Sequence, residues 1–142
     1  MRIGPNGTWN GISDSDPEAL FSYVAEHLSQ FGLAYLHLIE PRIAGSDLID
    51  ANQGPVAAEW LKPIFKGKLI SAGGFEPDTA EDAIAAGTLD AVAFGRYFVS
   101  NPDLPCRIKS NLPLTKYDRG TFYTFDARGY TDYPVLEGAI CA

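Results

Sequence analysis

Residues Lys68 to Pro102, KLISAGGFEPDTAEDAIAAGTLDAVAFGRYFVSNP, decide the fold. A glycine directly follows each of two short apolar runs, 68–72 and 90–94. This pattern predicts two β-strands. Between them a predicted helix begins at Pro77, runs to Ala86 and stops at Gly87. A strand, a helix and a second strand at this spacing predict a parallel crossover, because the helix must carry the chain back before the second strand begins.

Glycine follows both predicted strands at the point where each strand ends. Gly73 and Gly74 follow the first strand, and Gly95 with Arg96 follows the second. Glycine leaves backbone N–H groups accessible, and a neighbouring guanidinium adds positive charge, so this pattern suits an anion. In a βα barrel, the loops after the last two strands frequently bind phosphate.

Composition favours one compact domain with a small-molecule partner. The chain has 142 residues, of which 46% are hydrophobic and 20% charged. A net charge of −7 argues against a nucleic-acid partner. No apolar run approaches the roughly 20 residues of a membrane span, and the N-terminus lacks a signal-peptide core, so we expect no membrane association and a cytoplasmic protein. Cys106 and Cys141 predict neither a disulfide framework nor a metal site.

The remaining pattern predicts alternating helices and strands. A helix over 17–31 is expected to bury one stripe, formed by Leu20, Tyr23, Val24, His27 and Leu28. The apolar run 33–39 predicts a strand buried on both faces, followed by Glu40-Pro41-Arg42 and a polar loop over 43–53. Further helical segments are predicted at 55–65, 97–100 and 103–110, before an aromatic-rich tail.

Several side chains allow two interpretations. Arg42 either binds a substrate carboxylate or forms an ion pair with Glu40 or Asp47. His37 is either a hydrogen-bonded wall residue or a base, and His27 is either a packed helix residue or a ligand. The aromatic tail either packs across the sheet or covers a flat ring system.

Several segments, taken in order, resemble the Old Yellow Enzyme family of flavoenzymes, in particular its oxophytodienoate-reductase and bacterial ene-reductase branches. They are RIGPNGTWNGISDSDP, LHLIEPR, AGGF, DAVAFGRYFVSNPDL, TFY and GYTDYP. The resemblance implies an α/β fold, the C-terminal half of a TIM (βα)8 barrel. Residues 1–142 would form a single partial domain, from a clipped fifth strand through the eighth strand and helix to the aromatic tail.

The resemblance also implies a function and site residues. Family members bind FMN, are reduced by NADPH or NADH, and reduce the C=C bond of α,β-unsaturated carbonyl compounds. The implied FMN phosphate site is Gly73, Gly74, Gly95 and Arg96. Arg2 resembles the arginine that contacts the flavin ring, and Phe122 the residue at the flavin edge. Tyr123 resembles an aromatic wall of the substrate pocket, and Arg42 lies in a loop that borders the substrate.

The sequence has no counterpart of the family's carbonyl-binding pair, His-His or His-Asn, or of its tyrosine proton donor. No catalytic residue is therefore predicted. No metal ligand is predicted either. Gly4 also stands where the family usually has serine. Two hypotheses follow: an FMN-dependent NAD(P)H ene-reductase present as its C-terminal half, or a catalytically incomplete FMN- or phosphate-binding half-barrel that needs a partner chain. Unpaired edges of the outer strands at 1–4 and 90–94 predict a homo-oligomer or assembly with a complementing N-terminal half.

Overall fold

The computed structural model describes residues 1–44, 47–48 and 57–136. Two compact units divide the chain, Met1–Ala93 and Phe94–Ala142. The single partial domain over 1–142 stays a prediction. None of the helices in the described part of the chain has the length and apolarity that crossing a bilayer requires.

A parallel sheet forms the centre of the first unit. The described strands of this unit are β1 (Arg2–Ile3), β2 (Leu36–Ile39), β3 (Ile43–Ala44), β4 (Asp47–Leu48), β5 (Leu69–Ala72) and β6 (Ala91–Ala93). Strands β1, β2, β5 and β6 pair in that order, all parallel, so β1 and β6 lie at the edges as predicted. Strands β3 and β4 pair antiparallel within the segment predicted to be a loop.

Three helices connect these strands: α1 (Pro17–Leu28), α2 (Ala57–Leu61) and α3 (Pro77–Ala85). Helix α3 joins β5 to β6, which confirms the predicted crossover. Its N-terminus has a capping box, in which Thr79 Oγ1 accepts a hydrogen bond from the backbone N–H of Glu76. Helix α2 is shorter than predicted, and residues 55 and 56 of that prediction lie outside the described residues.

The buried face of α1 differs from the predicted stripe. Leu20 and Tyr23 are 42% and 61% exposed, whereas Ala25 is fully buried. His27 is also exposed, so the prediction that it packs in the interior is wrong; its Nδ1 donates to the Tyr23 carbonyl, and the two rings lie 3.9 Å apart. The small side chain of Ala25 turns inward, and the larger apolar side chains beside it remain at the surface.

The core lies on one side of the sheet. The fully buried apolar side chains of the first unit are Ala25, Leu36, Leu38, Ala57, Ala58, Leu61 and Leu69. Their neighbours along β2 and β5, such as His37 and Ile70, are only partly buried. The prediction that the strand over 33–39 is buried on both faces is therefore wrong for this structure, because only one face is covered.

Asp90 fixes the start of β6 beside β5. Its carboxylate accepts hydrogen bonds from Lys62 Nζ at 2.8 Å, from Lys68 Nζ at 2.7 Å and from the Leu69 backbone N–H at 2.9 Å. These bonds, above all those from the two lysines, hold the pKa of Asp90 well below its usual value. The carboxylate thus links α2, β5 and β6.

A buried ion pair organises the second unit, which contains α4 (Arg96–Ser100), α5 (Leu104–Lys109) and a 3-10 turn at Arg119–Thr121. Arg107 is 2% exposed, and its Nε donates to Asp103 at 2.7 Å. The same guanidinium donates to Thr115 Oγ1 and to the Pro134 carbonyl, while Asp103 accepts from the Leu136 N–H. These bonds attach two parts of the tail to α5.

Cys106 is buried in α5. Cys141 lies outside the described residues.

The Asp90 contacts predict how stability depends on pH. Because the pKa of Asp90 is lower in the folded chain, its stabilisation is complete above the unfolded value of 3.8 and is lost as the pH falls below it. We expect Asp90→Asn to reduce the free energy of unfolding near pH 7 by about 1–2 kcal/mol. It should also flatten the fall in stability below about pH 5. Urea unfolding at several pH values measures both effects, with Asp82→Asn on exposed α3 as the control; parallel pH curves for Asp90→Asn and the unaltered chain would contradict this account.

Candidate functional site

The carboxyl ends of three strands meet at one edge of the sheet in the first unit. Ile39, at the end of β2, is the register partner of Ala72 in β5, and Ala72 is the register partner of Ala93 in β6. Gly73 and Gly74 follow β5 directly. In parallel βα folds, ligands bind outside this edge. The predicted glycine pair therefore lies where the fold positions ligands.

Gly73 occupies a position that a larger residue does not fit. Its φ of +125° is rare for residues with a Cβ, and an added Cβ would lie 3.2 Å from both Cβ and the carbonyl oxygen of Glu40. Gly74 also has a positive φ, of 68°. Glycine adopts both conformations without the strain that a Cβ would add, above all at Gly73. Their contact with phosphate stays a prediction.

Glu40 is a residue whose role the sequence did not reveal. Its side chain is fully buried, and its carboxylate accepts hydrogen bonds from the Ser71 hydroxyl at 2.7 Å and from the Ala57 and Ala58 N–H groups at 2.8 and 3.2 Å. It therefore joins the ends of β2 and β5 to the first turn of α2. One sequence signal could have indicated this role. Glu40 is an acidic residue at a strand end, and the loop after it leads into the small residues that begin a helix.

Arg42 does not form the ion pair with Glu40 that the sequence allowed, since the Glu40 oxygens accept hydrogen bonds from other groups. Its guanidinium instead lies 4.8 Å from the centre of the Phe75 ring. The side chain of Asp47, the other candidate partner, lies outside the described residues. The stacked position places Arg42 beside the residue that follows the glycine pair. Its contact with substrate stays a prediction.

Arg2 and His37 are register partners on β1 and β2, so their side chains share one face of the sheet. Arg2 is exposed. His37 Nε2 is buried and makes no hydrogen bond to any described residue, so the predicted hydrogen-bonded wall residue is not found at this atom. Burial and the nearby Arg2 charge lower the pKa of His37, which favours the neutral imidazole. Arg2 therefore provides positive charge on this face while His37 stays neutral near pH 7.

Arg96, in the second unit, has a donor without an acceptor. Its guanidinium carbon lies 5.5 Å from the centre of the Tyr117 ring. Its Nη1 is buried and has no hydrogen-bond partner within the described residues. A buried donor without an acceptor is costly, and an anionic oxygen would remove that cost. Gly95 precedes it with open space at the position of a Cβ.

An aromatic cluster surrounds the ring that Arg96 contacts. Tyr117 lies 5.7 Å from Tyr97 and 5.5 Å from Phe122, measured between ring centres, and Phe122 lies 6.4 Å from Tyr123. Tyr123 is 78% exposed. The structure thus brings Arg96, Phe122 and Tyr123 into one group through Tyr117, a residue that the sequence did not assign to the site.

The predicted site residues divide between the two units. Arg2, Arg42, Gly73 and Gly74 belong to the first, and Gly95, Arg96, Phe122 and Tyr123 belong to the second. Within the first unit, Arg42 lies over the residue after Gly74. Within the second, the arginine and the two aromatic residues share the Tyr117 cluster.

A family model described as NADH:flavin oxidoreductase / NADH oxidase matches residues 1–115. The chain is 44% identical to 12-oxophytodienoate reductase 2 of Arabidopsis thaliana over 138 residues, which cover 96% of the chain and 36% of that relative. It is 45% identical to a 12-oxophytodienoate reductase-like protein of Solanum lycopersicum over 140 residues, which cover 98% of the chain and 36% of the relative. The chain thus spans about a third of the length of these curated relatives.

Solved structures agree with this match. Morphinone reductase superposes with a TM-score of 0.84 at 40% identity, over 96% of this chain and 36% of that one. The old yellow enzyme of Trypanosoma cruzi gives 0.84 at 35% identity, over 94% and 34%. With the parallel sheet and its helices, these likenesses confirm the predicted partial TIM barrel.

Gly73 and Gly95, two of the predicted phosphate contacts, should differ in their tolerance of a methyl group. Gly73→Ala should cost about 1–3 kcal/mol of stability, because its φ is positive and its Cβ would press on Glu40. Gly95→Ala should stay within about 0.5 kcal/mol, because φ is −97° and nothing lies near an added Cβ. Urea unfolding of both variants measures the difference. Equal costs would contradict the close approach between Gly73 and Glu40.

Proposed function

The chain belongs to the NADH:flavin oxidoreductase / NADH oxidase family, and from that premise we propose that it forms the phosphate-anchoring part of an FMN-dependent NAD(P)H ene-reductase. Residues 1–142 act as one partial domain of a TIM barrel. The chain's own contribution is to bind the cofactor phosphate, to place positive charge beside the flavin ring, and to form part of the substrate wall.

The observation that carries this proposal is the buried Arg96 Nη1 without a hydrogen-bond partner among the described residues. A guanidinium presents planar, paired donors that match phosphate oxygens, and it stays charged at any physiological pH. The donor set therefore fits the phosphate of FMN. Charge-assisted bonds of this type are stronger than neutral ones.

The glycines at the strand ends support the same assignment. Gly73 and Gly74 both have positive φ angles at the edge where β5 ends, and Gly74 is half-buried there. The chain leaves β5 and β6 at the same edge, because Ala72 and Ala93 are register partners. Gly95 and Arg96 follow β6 along the chain. In TIM barrels, the loops after the last two strands frequently bind phosphate.

Four further residues take roles around the flavin and the substrate. Arg2 supplies positive charge beside the flavin ring, which favours its reduced form. Phe122 packs at the flavin edge, where the aromatic cluster around Tyr117 fixes its ring. Tyr123, exposed beside it, forms an aromatic wall of the substrate pocket. Arg42, stacked over Phe75, borders the substrate.

The reaction that we propose is reduction of the C=C bond of an α,β-unsaturated carbonyl compound. Names of relatives support an ene-reductase, since they include 12-oxophytodienoate reductase and morphinone reductase. When bound, FMN supplies hydride transfer between NADPH or NADH and the substrate. The residues of this chain hold and orient the cofactor for that chemistry.

The second candidate is a catalytically incomplete FMN- or phosphate-binding half-barrel that needs a partner chain. Polarising an enone carbonyl requires hydrogen-bond donors placed together at the oxygen. The chain's two histidines do not form such a pair, since His27 is exposed on α1 and His37 lies within β2. Strands β1 and β6 lie at the sheet edges, and such edges attract further strands. A second copy of the chain or a complementing N-terminal half would supply these further strands. We propose that the protein acts in the cytoplasm, where nicotinamide cofactors are available.

Flavin titration tests the anchor. The chain should quench FMN fluorescence in proportion to its concentration, and Arg96→Ala should weaken binding by about 1.5–3 kcal/mol, or about 10- to 150-fold, because a charge-assisted contact is lost. Arg128→Ala, an exposed arginine in the tail, is the matched control and should bind as the unaltered chain does. Absence of binding at high micromolar FMN would contradict the cofactor assignment.

Catalysis and assembly separate the two candidates. Under the second, NADPH oxidation driven by cyclohexenone appears only when an N-terminal half of a relative is added. Activity of the chain alone would instead support the first.

Light scattering should show a dimer or a larger assembly for the isolated chain, because both sheet edges are available for pairing. A stable monomer with cooperative unfolding would contradict the need for a partner.

A further inference from the structure

The Tyr117 ring contacts the Arg96 guanidinium in a way that leaves its donors available. A carboxylate partner would neutralise the positive charge and occupy N–H groups. An aromatic face attracts the cation while it takes none of those N–H groups. The guanidinium carbon lies 5.5 Å from the ring centre, and Nη1 remains without a partner among the described residues.

Arg107 in the same unit shows the opposite arrangement. Its guanidinium donates to Asp103, to Thr115 and to the carbonyls of Pro113 and Pro134. A buried arginine saturated in this way holds the fold together and has little capacity left for a ligand. The contrast indicates that the surroundings of Arg96 restrain the side chain without saturating it.

The chain holds Tyr117 in place through the far end of α4. Helix α4 begins at Arg96, and Asn101 follows its last residue. The Asn101 side chain accepts from the Thr115 N–H at 2.7 Å and donates to the Thr115 carbonyl at 3.0 Å. The Ser100 hydroxyl donates to the same carbonyl at 2.8 Å. Thr115 is thereby fixed to α4 two positions before Tyr117.

Packing fixes the ring as well. Tyr97 meets Tyr117 edge-on at 5.7 Å, and Phe122 lies against it at 5.5 Å. A long arginine side chain loses much rotamer freedom when it binds an anion. A ring that already confines the guanidinium reduces this loss at the moment of binding.

We infer that Tyr117 is a positioning residue for phosphate binding: its fixed ring holds the Arg96 guanidinium in place with Nη1 free for a phosphate oxygen. The inference rests on the proposed function, since it assigns to Tyr117 a part of the preference for FMN over riboflavin, which lacks the phosphate. The ring face carries the effect. The phenolic hydroxyl is not required.

The test compares dissociation constants of the chain for FMN and for riboflavin, both measured by fluorescence quenching. Their ratio reports the phosphate contribution and cancels effects on the flavin ring. In the unaltered chain FMN should bind more tightly, and Arg96→Ala should lower the ratio of the riboflavin constant to the FMN constant about 10- to 150-fold. Tyr117→Leu should lower the ratio about 3- to 10-fold, whereas Tyr117→Phe should keep it. Adding Tyr117→Leu to Arg96→Ala should lower it no further.

Each result supports or overturns the inference. A ratio that Tyr117→Leu leaves unchanged, or a loss of affinity equal for FMN and riboflavin, overturns the role of Tyr117 alone. FMN that binds no more tightly than riboflavin to the unaltered chain overturns the phosphate anchor, and the role of Tyr117 with it. Circular dichroism checks that each variant folds. If Tyr117→Leu does not, Tyr117→Met keeps the volume and apolar contacts without an aromatic face.

Discussion

One buried carboxylate, Glu40, connects the carboxyl end of β2 to β5 and α2. It binds the Ser71 hydroxyl on β5 and two N–H groups at the start of α2, although it belongs to the end of β2. A buried carboxylate is stable only when hydrogen bonds compensate for lost hydration, so these three bonds must form together. Glycine at position 73 fits this arrangement, because an added Cβ would lie only 3.2 Å from Glu40.

Two arginines of the second unit, Arg107 and Arg96, differ in how their buried N–H groups are paired. Arg107 is saturated by a carboxylate, a hydroxyl and carbonyl groups, which fasten the tail to α5. Arg96 is restrained by an aromatic ring and keeps a buried donor without a partner among the described residues. Saturated hydrogen bonds stabilise a fold, whereas a restrained donor without an acceptor can still bind a ligand. This difference supports our proposal that Arg96 binds phosphate.

Local signals predicted the elements well. Glycines after β5 and β6 and the proline at the start of α3 act within a few residues, so the strand–helix–strand crossover could be predicted from the sequence alone. Packing across the molecule was harder to foresee. Helix α1 buries Ala25 and exposes Tyr23, since contact with the rest of the unit favours a small residue over the largest apolar ones. The strand ending at Ile39 is covered on one face only, which its apolar composition did not reveal.

Short motifs suggested candidate site residues, whereas contacts between residues far apart in the sequence were missed. The glycines and Arg96 were proposed from their order along the chain, and their contact with phosphate stays a prediction. Glu40 forms hydrogen bonds with residues far along the sequence, and Tyr117 contacts Arg96 where Asn101 binds Thr115. Such contacts leave no periodic signal in the sequence.

Phosphorus-31 NMR of FMN tests whether Arg96 binds the cofactor phosphate, because the method observes the phosphorus atom itself. We expect the FMN phosphorus resonance to shift and broaden as the chain is added, and this response to be strongly reduced in Arg96→Ala. A phosphorus resonance that stays unchanged while the chain binds the flavin would contradict the role of Arg96.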